Sequence, residues 1–225
     1  ESNNTSYWSL GIEGIHSFPY ISDFSDTIVN GWTEYTKTNA GGHLKNSYRF
    51  RNTLGMHEIP SYNECSSQQM FTDRINSVKS MSQVPFMYLE SPSFNFKGID
   101  SVFLSFDLFC TGRTSLDGGN MEFSTNGGNT WNILTMQQGN TYNWYNSNSS
   151  SILDDLNNQN GWTGLSTFDS TSIDLSFLKG EENIVFRYKY RSNYQPGSYG
   201  SPHGMRIDNF KIHGAIIDYK SNDSN

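Results

Sequence analysis

The stretch of sequence that decides the fold is Asp117-Gly118-Gly119-Asn120-Met121-Glu122-Phe123-Ser124-Thr125-Asn126-Gly127-Gly128-Asn129-Thr130-Trp131. Apolar and polar residues alternate from Met121 to Ser124, as they do in a half-buried strand. The Asn-Gly-Gly that follows supplies residues that tolerate the positive φ of a tight turn. The stretch therefore predicts a β-hairpin.

The turn of this hairpin has the form Ser124-x-Asn126-x-Gly128-x-Thr130-Trp131. The pattern resembles the Asp-box turn of secreted β-proteins, with Asn126 where Asp is usual. What the resemblance implies is a structural turn and not a catalytic centre. Since the pattern occurs once and no repeat period is visible, neither a propeller nor a solenoid is predicted.

The composition of the 225 residues is typical of a sheet protein. Only 16% of the residues are charged and 15% are aromatic, a balance that is rich in strand and turn formers and poor in helix formers. The length permits one large all-β domain with a sizeable core or two small domains, and we expect one. The formal charge of -7 would repel a phosphate backbone, so nucleic acid is not an expected partner.

No apolar run approaches the roughly 20 residues that span a bilayer, so membrane insertion is not expected. Residues 1–4 are polar and show no signal-peptide pattern, and we expect a mature or excised soluble piece. The two cysteines, Cys65 and Cys110, permit one disulfide without requiring it. Because the chain has neither a CxxC motif nor a Cys/His cluster, a zinc site is not predicted.

Strand patterns follow one another regularly in the second half of the chain. The even-numbered residues of 102–109 are all apolar, which predicts that this face of the strand lies in the core. In residues 184–191 the even-numbered side chains are apolar or aromatic and the odd-numbered ones are mostly basic, so we expect the second face to be wet. Further strands are predicted within residues 18–35 and at 47–51, 86–90, 171–175 and 205–212.

Two long segments lack a clear period. Residues 38–84 are predicted to form a surface connection with one helical turn around residues 68–74. Residues 137–166 are predicted to form an extended loop, although large aromatic residues lie within it. We therefore expect a lead-in at residues 1–17, a single domain at 18–217 and a disordered tail at 218–225.

Six short motifs occur in order, namely Tyr88-Leu89-Glu90-Ser91-Pro92, the run 102–109, the Asp-Gly-Gly hairpin, Ile173-Asp174-Leu175-Ser176, Phe186-Arg187-Tyr188-Lys189-Tyr190 and Ile207-Asp208-Asn209-Phe210. Taken together they resemble MAM-type jelly-roll domains of secreted bacterial proteins, and the likeness covers roughly residues 18–215. The likeness extends to accessory domains of immune-inhibitor-A-like metallopeptidases and to cleaved-adhesin domains.

The resemblance implies an antiparallel two-sheet jelly-roll β-sandwich with long loops, exported as one module of a longer chain and often stabilised by calcium. The positions that best match the family's calcium ligands are Asp23, Asp26, Asp117 and Asp208. Asn120 could add an amide oxygen, because calcium takes about six to eight oxygen ligands. The alternative is that the first three aspartates cap backbone groups in solvated turns.

A second set of candidate site residues is aromatic. Aromatic faces stack on the apolar C–H faces of sugar rings, and neighbouring Asn and Gln side chains supply hydrogen bonds. The alternative is that these rings fold back as core beneath their own loop. The candidates for ligand binding are Tyr142, Trp144, Tyr145, Trp162, Tyr194 and Tyr199.

Catalytic signatures are missing from the sequence. The metallopeptidase motif HExxH fails after His57-Glu58, and residues 197–200 lack the GxSxG spacing of a nucleophile elbow. Asp117 and Glu122 form a carboxylate pair that glycoside hydrolysis could use at the right separation. An outward strand Glu beside a loop Asp is the simpler explanation.

We therefore expect a non-catalytic, calcium-stabilised adhesion or carbohydrate-binding module of a secreted or cell-surface bacterial protein. Its partners would be a polysaccharide or glycoprotein surface and other domains of a longer chain. One alternative is a polysaccharide lyase or glycoside hydrolase that uses Tyr190, Arg191 and His203 in a groove. Another is a structural spacer domain of a secreted peptidase.

Overall fold

A computed structural model of the chain describes residues 18–24, 31–37, 50–52, 70–72, 86–111, 114, 117–150, 159–164, 169–192 and 204–216. Regular secondary structure within these ranges consists of β-strands and one short 3₁₀ turn. No helix in these ranges is long and apolar enough to cross a lipid bilayer. The predicted lead-in at 1–17 and tail at 218–225 lie outside the described residues.

The strands are numbered in chain order. The first seven are β1 (Tyr20–Ser22), β2 (Thr33–Lys37), β3 (Phe50–Asn52), β4 (Met70–Thr72), β5 (Phe86–Glu90), β6 (Ile99–Thr111) and β7 (Asp117–Ser124). The next seven are β8 (Asn132–Ile133), β9 (Thr141–Tyr142), β10 (Ser147–Ser150), β11 (Gln159–Thr163), β12 (Asp169–Asp174), β13 (Val185–Ser192) and β14 (Gly204–Ile216). The 3₁₀ turn is Ser176–Leu178.

The strands form two sheets in which every described pairing is antiparallel. The first sheet has the order β3-β4-β14-β6-β12-β9, and β1 also pairs with β14. The second sheet has the order β10-β11-β7-β13-β5-β2, and β8 also pairs with β7. Strands that are neighbours in space are often distant in sequence, as in a jelly roll. The predicted antiparallel two-sheet jelly-roll sandwich is therefore confirmed.

The centre of the first sheet is the pairing of its two longest strands, β6 and β14. Their register begins with Gly204 opposite Thr111. The even-numbered residues of 102–109 are at most 5% exposed, whereas the odd-numbered residues between them are half-buried. The predicted core face of this strand is therefore confirmed.

The core between the two sheets is rich in aromatic rings. Phe106 and Phe210 of the first sheet stack with ring centroids 6.3 Å apart, and Phe186 of the second sheet lies 6.5 Å from Phe210. Each of these side chains is only 1% exposed. Since burial of one large apolar side chain stabilises a fold by about 1.5–3 kcal/mol, these rings hold the sheets against each other.

The predicted hairpin is present, with β7 paired to β8. In its turn the Ser124 hydroxyl accepts hydrogen bonds from the backbone N–H groups of Asn126 and Gly128 at 3.2 and 2.9 Å. Asn126 Oδ1 accepts the backbone N–H of Thr130 at 2.9 Å. Gly127 and Gly128 have φ of 67° and 88°, which glycine adopts without strain. The sequence pattern thus predicts a structural turn correctly.

Two predictions about the long segments are wrong. The helical turn predicted around residues 68–74 is instead strand β4, which pairs with β3 and β14. The extended loop predicted at residues 137–166 contains β9, β10 and β11. These short strands lie at or near the sheet edges, where backbone hydrogen bonds to a neighbour form without an apolar period in the side chains.

Replacing Ser124 by Ala tests the turn. Ser124 is fully buried, and its loss leaves two backbone N–H groups without their acceptor, so we expect the free energy of unfolding to fall by about 1–3 kcal/mol. The matched control is Asn126→Asp, which keeps the accepting oxygen and should change stability by less than about 0.5 kcal/mol. Urea unfolding of both variants measures the difference; equal effects would contradict the assigned role.

Candidate functional site

Three of the aromatic residues predicted to bind ligand lie in the core. Trp144, Tyr145 and Trp162 are 3%, 8% and 5% exposed. The Trp162 ring lies 5.1 Å from that of Trp144 and 4.5 Å from that of Tyr145, both at 69°. Their predicted role in stacking on a ligand is therefore corrected. These rings form core beneath their own loop, which is the alternative hypothesis for the same residues.

The polar atoms of these rings find partners inside the protein. Trp144 Nε1 donates to a backbone carbonyl oxygen at 3.1 Å, and Trp162 Nε1 donates to the carbonyl oxygen of Asn143 at 3.3 Å. The Tyr145 hydroxyl donates to Met121 O at 3.2 Å and accepts from Met121 N at 3.1 Å. Because buried polar groups need such partners, the rings anchor the segment that carries them.

Tyr142 differs from these neighbours because its side chain is 63% exposed. Its backbone is held by the Thr171 hydroxyl, which lies 3.1 Å from the carbonyl oxygen of Tyr142 and 3.0 Å from that of Asn143. Asn143 Nδ2 also donates to the carbonyl oxygen of Ser170 at 3.2 Å. The ring is therefore presented to solvent from a fixed backbone. The remaining two candidates, Tyr194 and Tyr199, lie outside the described residues.

One row of side chains crosses the outer face of the first sheet and ends at Tyr142. Strand registers place its members opposite one another on five neighbouring strands. Since neighbouring strands are about 4.8 Å apart, the row spans roughly 19 Å. From β1 to β9 this row, which we call the serine row, consists of Ile21, Lys211, Ser105, Ser172 and Tyr142.

Polar and aromatic side chains flank the serine row. On one side the rings of Phe103 and His213 stack with centroids 5.7 Å apart, and Asp174 lies opposite Phe103 on β12. On the other side Asp107 Oδ2 accepts a hydrogen bond from Asn209 Nδ2 at 2.7 Å. This face of the sheet therefore combines an exposed ring, hydroxyl groups, carboxylates and one amine.

The sequence predicts only part of this surface. Alternation in residues 102–109 identifies Ser105 and Asp107 as outward-facing, and Tyr142 stands among the predicted ligand residues. The sequence does not predict Lys211, Ser172 and Asp174 as site residues, because their places depend on the register between distant strands. The same alternation in residues 171–175 and 205–212 shows which residues share one face of their strand. It does not show which residues of other strands lie beside them.

The outer face of the second sheet is occupied by its own ion pairs, and we call it the ion-pair face. Arg187 contacts Glu122 Oε2 at 2.6 Å, and Lys189 Nζ lies 3.4 Å from Glu122 Oε1. The Arg187 guanidinium lies 3.9 Å from the ring of Trp131 and 4.6 Å from that of Tyr88. The three charged side chains are 8–11% exposed. The prediction that this face is wet is therefore wrong, because rings cover the cations.

Burial raises the pKa of several tyrosines in this part of the molecule. The pKa of Tyr88 rises from 10.0 to about 12, chiefly because of burial, while the nearby Arg187 opposes the shift. Burial also raises the pKa of Tyr35, which stacks on Tyr88 with centroids 4.9 Å apart, and that of Tyr145. These hydroxyl groups are protonated at neutral pH, so they are not poised as general bases.

The residues of the enzymatic alternative do not gather into one described site. Tyr190 is 1% exposed and belongs to the core, and His203 lies outside the described residues. In the predicted carboxylate pair, Glu122 is held by Arg187, while Asp117 begins the same strand.

Two of the predicted calcium ligands belong to the first sheet. Asp208 lies on β14 and is 1% exposed. Asp23 follows β1, whose last residue, Ser22, lies opposite Phe210. Because Phe210 is two residues after Asp208, the pairing of β1 with β14 brings the segments of Asp23 and Asp208 to the same part of the sheet.

The other predicted calcium ligands lie on the second sheet or outside the described residues. Asp117 and Asn120 lie on β7 in the second sheet, and Asn120 Nδ2 donates to the carbonyl oxygen of Asn160 at 3.3 Å. Asp26 lies outside the described residues. Among the residues that the structure describes, no three His, Cys, Asp or Glu side chains gather as a metal site requires. The calcium site stays a prediction.

Comparison with known proteins finds similarity in structure but not in sequence. No protein-family model and no curated protein matches the chain. The K1 and K3 cleaved-adhesin domains of Lys-gingipain from Porphyromonas gingivalis are 15% and 14% identical, with TM-scores of 0.45 and 0.47; each comparison covers 87% of this chain and 98% of that domain. The CBM22-1 xylan-binding domain of Paenibacillus barcinonensis Xyn10C is 10% identical, with a TM-score of 0.40 and coverage of 88% and 93%.

Two of these structures are cleaved-adhesin domains, one of the kinds of domain that the sequence resembles. At TM-scores below 0.5 and identities of at most 15%, the likenesses carry no argument about family or function. The resemblance to MAM-type domains therefore stays a prediction.

The raised pKa of Tyr88 predicts how stability depends on pH. The unfolded chain releases this proton near pH 10.0 and the folded chain near 12, so the folded state binds more protons between these values. Stability should therefore fall as the pH rises from about 10 to about 12. Urea unfolding across this range measures the loss, and Tyr88→Phe should reduce it; an identical pH dependence in the variant would contradict the assignment.

Proposed function

We propose that the chain is a non-catalytic carbohydrate-binding or adhesion module of a secreted or cell-surface bacterial protein. The observation that carries the proposal is Tyr142, whose ring is 63% exposed although its backbone is fixed by Thr171. Large aromatic rings are normally buried, so one held rigidly in solvent at the end of a polar row favours a ligand-binding role.

The serine row offers the groups that a sugar polymer needs. The C–H face of a sugar ring would stack on Tyr142, while the hydroxyl groups of Ser105 and Ser172 and the carboxylates of Asp107 and Asp174 would exchange hydrogen bonds with sugar hydroxyls. A row of roughly 19 Å suits several linked sugars better than one. We therefore favour a polysaccharide or the glycan of a glycoprotein as the partner.

Rigidity would allow this surface to bind without much ordering of the protein. The buried rings of Trp144 and Trp162 anchor the chain that follows the exposed ring. A ligand would therefore not have to order a flexible loop, and less of its binding free energy would be lost. The ion-pair face is a weaker candidate, because its charged groups already neutralise one another.

The place of the module in the cell is proposed from the sequence. Its resemblance to exported jelly-roll domains supports a secreted or cell-surface location beside other domains of a longer chain. Two alternatives remain as hypotheses: an enzyme that degrades polysaccharides and a spacer domain of a secreted peptidase. Product release from a polysaccharide would favour the first, and absence of both binding and turnover would favour the second.

Calcium is proposed as a structural ion of the same module. Asp208 lies opposite Asp107 in the sheet, and its buried carboxylate accepts the backbone N–H of Asn209 at 2.7 Å. Like charges directly opposite each other destabilise a sheet, and carboxylate oxygens are donors that calcium prefers. Asp208 would therefore supply carboxylate oxygens to the ion, with Asp23 from the segment after β1 as a second carboxylate and the remaining oxygens from backbone carbonyl groups and water. Bound calcium would neutralise this charge and tie the end of β1 to β14.

Removing the Tyr142 ring tests the binding function. Tyr142→Ala should lower affinity for the glycan that the protein selects on an array by about tenfold, since stacking of this kind contributes on the order of 1–1.5 kcal/mol. The matched control is Phe177→Ala, which removes another exposed ring, 41% accessible, away from the serine row. Binding that survives in Tyr142→Ala, or is lost equally in the control, would contradict the proposed site.

Thermal unfolding with calcium and with a chelator tests the proposed ion. Calcium at 100 times its dissociation constant should add about 2.7 kcal/mol to the free energy of unfolding, so the chelator should lower Tm. Asp208→Asn should abolish the response, whereas Asp100→Asn, which changes an exposed carboxylate paired with Lys179, should keep it. An unchanged Tm in the native sequence would exclude a stabilising ion.

A further inference from the structure

We propose that the Tyr142 end of the serine row binds an amino sugar, that is, a sugar ring with a free, positively charged amino group. The inference rests on the proposed function, because it names the kind of glycan that the same surface takes. It is drawn from the unequal distribution of charge along the face. Accessible carboxylates lie on β6 and β12, towards Tyr142, whereas β14 carries Lys211 of the row and Asp208, which is only 1% exposed.

Asp174 is a carboxylate that the strand register places near Tyr142. Tyr142 lies opposite Ser172, and Asp174 is two residues further along the same face of β12. Such diagonal neighbours are about 7–8 Å apart, within reach of an aromatic side chain. Asp174 Oδ1 accepts the backbone N–H of Ser176 at 2.8 Å, which fixes the carboxyl group. Its other oxygen has no hydrogen bond to a described residue and is available to a ligand.

A positively charged amino group fits between these two side chains better than a neutral group does. The face of a tyrosine ring attracts a cation within about 6 Å of its centre. A carboxylate beside the ring adds a charge-assisted hydrogen bond. Tyr142 and Asp174 would thus recognise the C–H face of the sugar and its ammonium group together, which an uncharged hydroxyl or acetamido group cannot match.

A second carboxylate repeats this chemistry across the row. Asp107 lies four residues beyond Phe103 on β6, and Phe103 is the residue opposite Asp174. The two carboxylates are therefore separated by roughly 13 Å along the strand direction. Asp107 Oδ2 is held by Asn209, and its other oxygen has no hydrogen bond to a described residue. A polymer with several amino groups could meet both carboxylates.

The remaining charges support the same choice of ligand. The chain carries a formal charge of -7, which disfavours glycans rich in carboxylate or sulfate groups. Lys211 lies two strands away from the strand of Asp174, about 10 Å. At that distance its repulsion of an ammonium group on Tyr142 is largely screened at physiological salt, where the screening length is about 8 Å.

The experiment compares three oligosaccharides of equal length and linkage: β-linked glucosamine, N-acetylglucosamine and glucose. Isothermal titration at slightly acidic pH, where the amino groups are charged, should show the tightest binding for the glucosamine oligomer. Its advantage should shrink as salt is added, because an exposed ion pair is screened. Equal or tighter binding of the N-acetylated oligomer would overturn the inference.

Two variants that each remove one carboxylate charge test whether the preference for the glucosamine oligomer depends on Asp174. Asp174→Asn keeps the oxygen that accepts Ser176 N–H and removes the charge, so it should weaken binding of the glucosamine oligomer by about fivefold, the upper range for an exposed ion pair. Binding of the N-acetylated oligomer should not change. Asp100→Asn, which removes a charge that is paired with Lys179 and is not part of the row, should leave both affinities as they were. An equal effect of both variants would overturn the inference.

The outcomes also separate this inference from the proposed function. If the neutral oligomers bind and Tyr142→Ala abolishes that binding, the row is a glycan site without a preference for amino groups, and only the inference fails. If none of the three oligomers binds and the array finds no other glycan, the proposed function fails and the inference fails with it.

Discussion

The structure depends on one contact, the packing of aromatic rings between the two sheets. Phe106 and Phe210 come from the first sheet and Phe186 from the second, and each ring is only 1% exposed. The alternation of side chains along β6, β13 and β14 serves this contact. Once one face of each strand is committed to the core, the outer faces are determined as well.

The two outer faces have different chemistry because their polar groups are satisfied differently. On the second sheet Glu122 is shared by Arg187 and Lys189, and rings cover the cations. That arrangement needs no ligand. On the first sheet the side chains of Ser105 and Ser172 make no hydrogen bond to a described residue, and the ring of Tyr142 is 63% exposed. The open surface is therefore the one that can exchange its water for a binding partner.

Local sequence predicts strands well here, because the alternation along residues 102–109 and 184–191 is complete. It predicts poorly whether a side chain is buried where the pairing between distant strands determines its surroundings. Trp144 and Trp162 lie in an Asn- and Ser-rich segment that has no apolar period, yet both are buried by neighbours from other strands. Tyr142, two residues before Trp144, has the same composition around it and faces solvent. Residues two apart share a face only in a continuous strand, but β9 ends at Tyr142 and Asn143 has a φ of 49°, which redirects the backbone before Trp144. No local pattern contains that information.

The last described strand lies inside its sheet, between β4 and β6. Its partner β6 begins at Ile99, and the strand itself ends at Ile216, so the central ladder joins residues that are separated by half of the chain. Contacts of such high sequence separation form late and slowly. While the chain is synthesised from its amino end, β6 can pair with β12 on one side only, and the first sheet can close only after β14 has emerged.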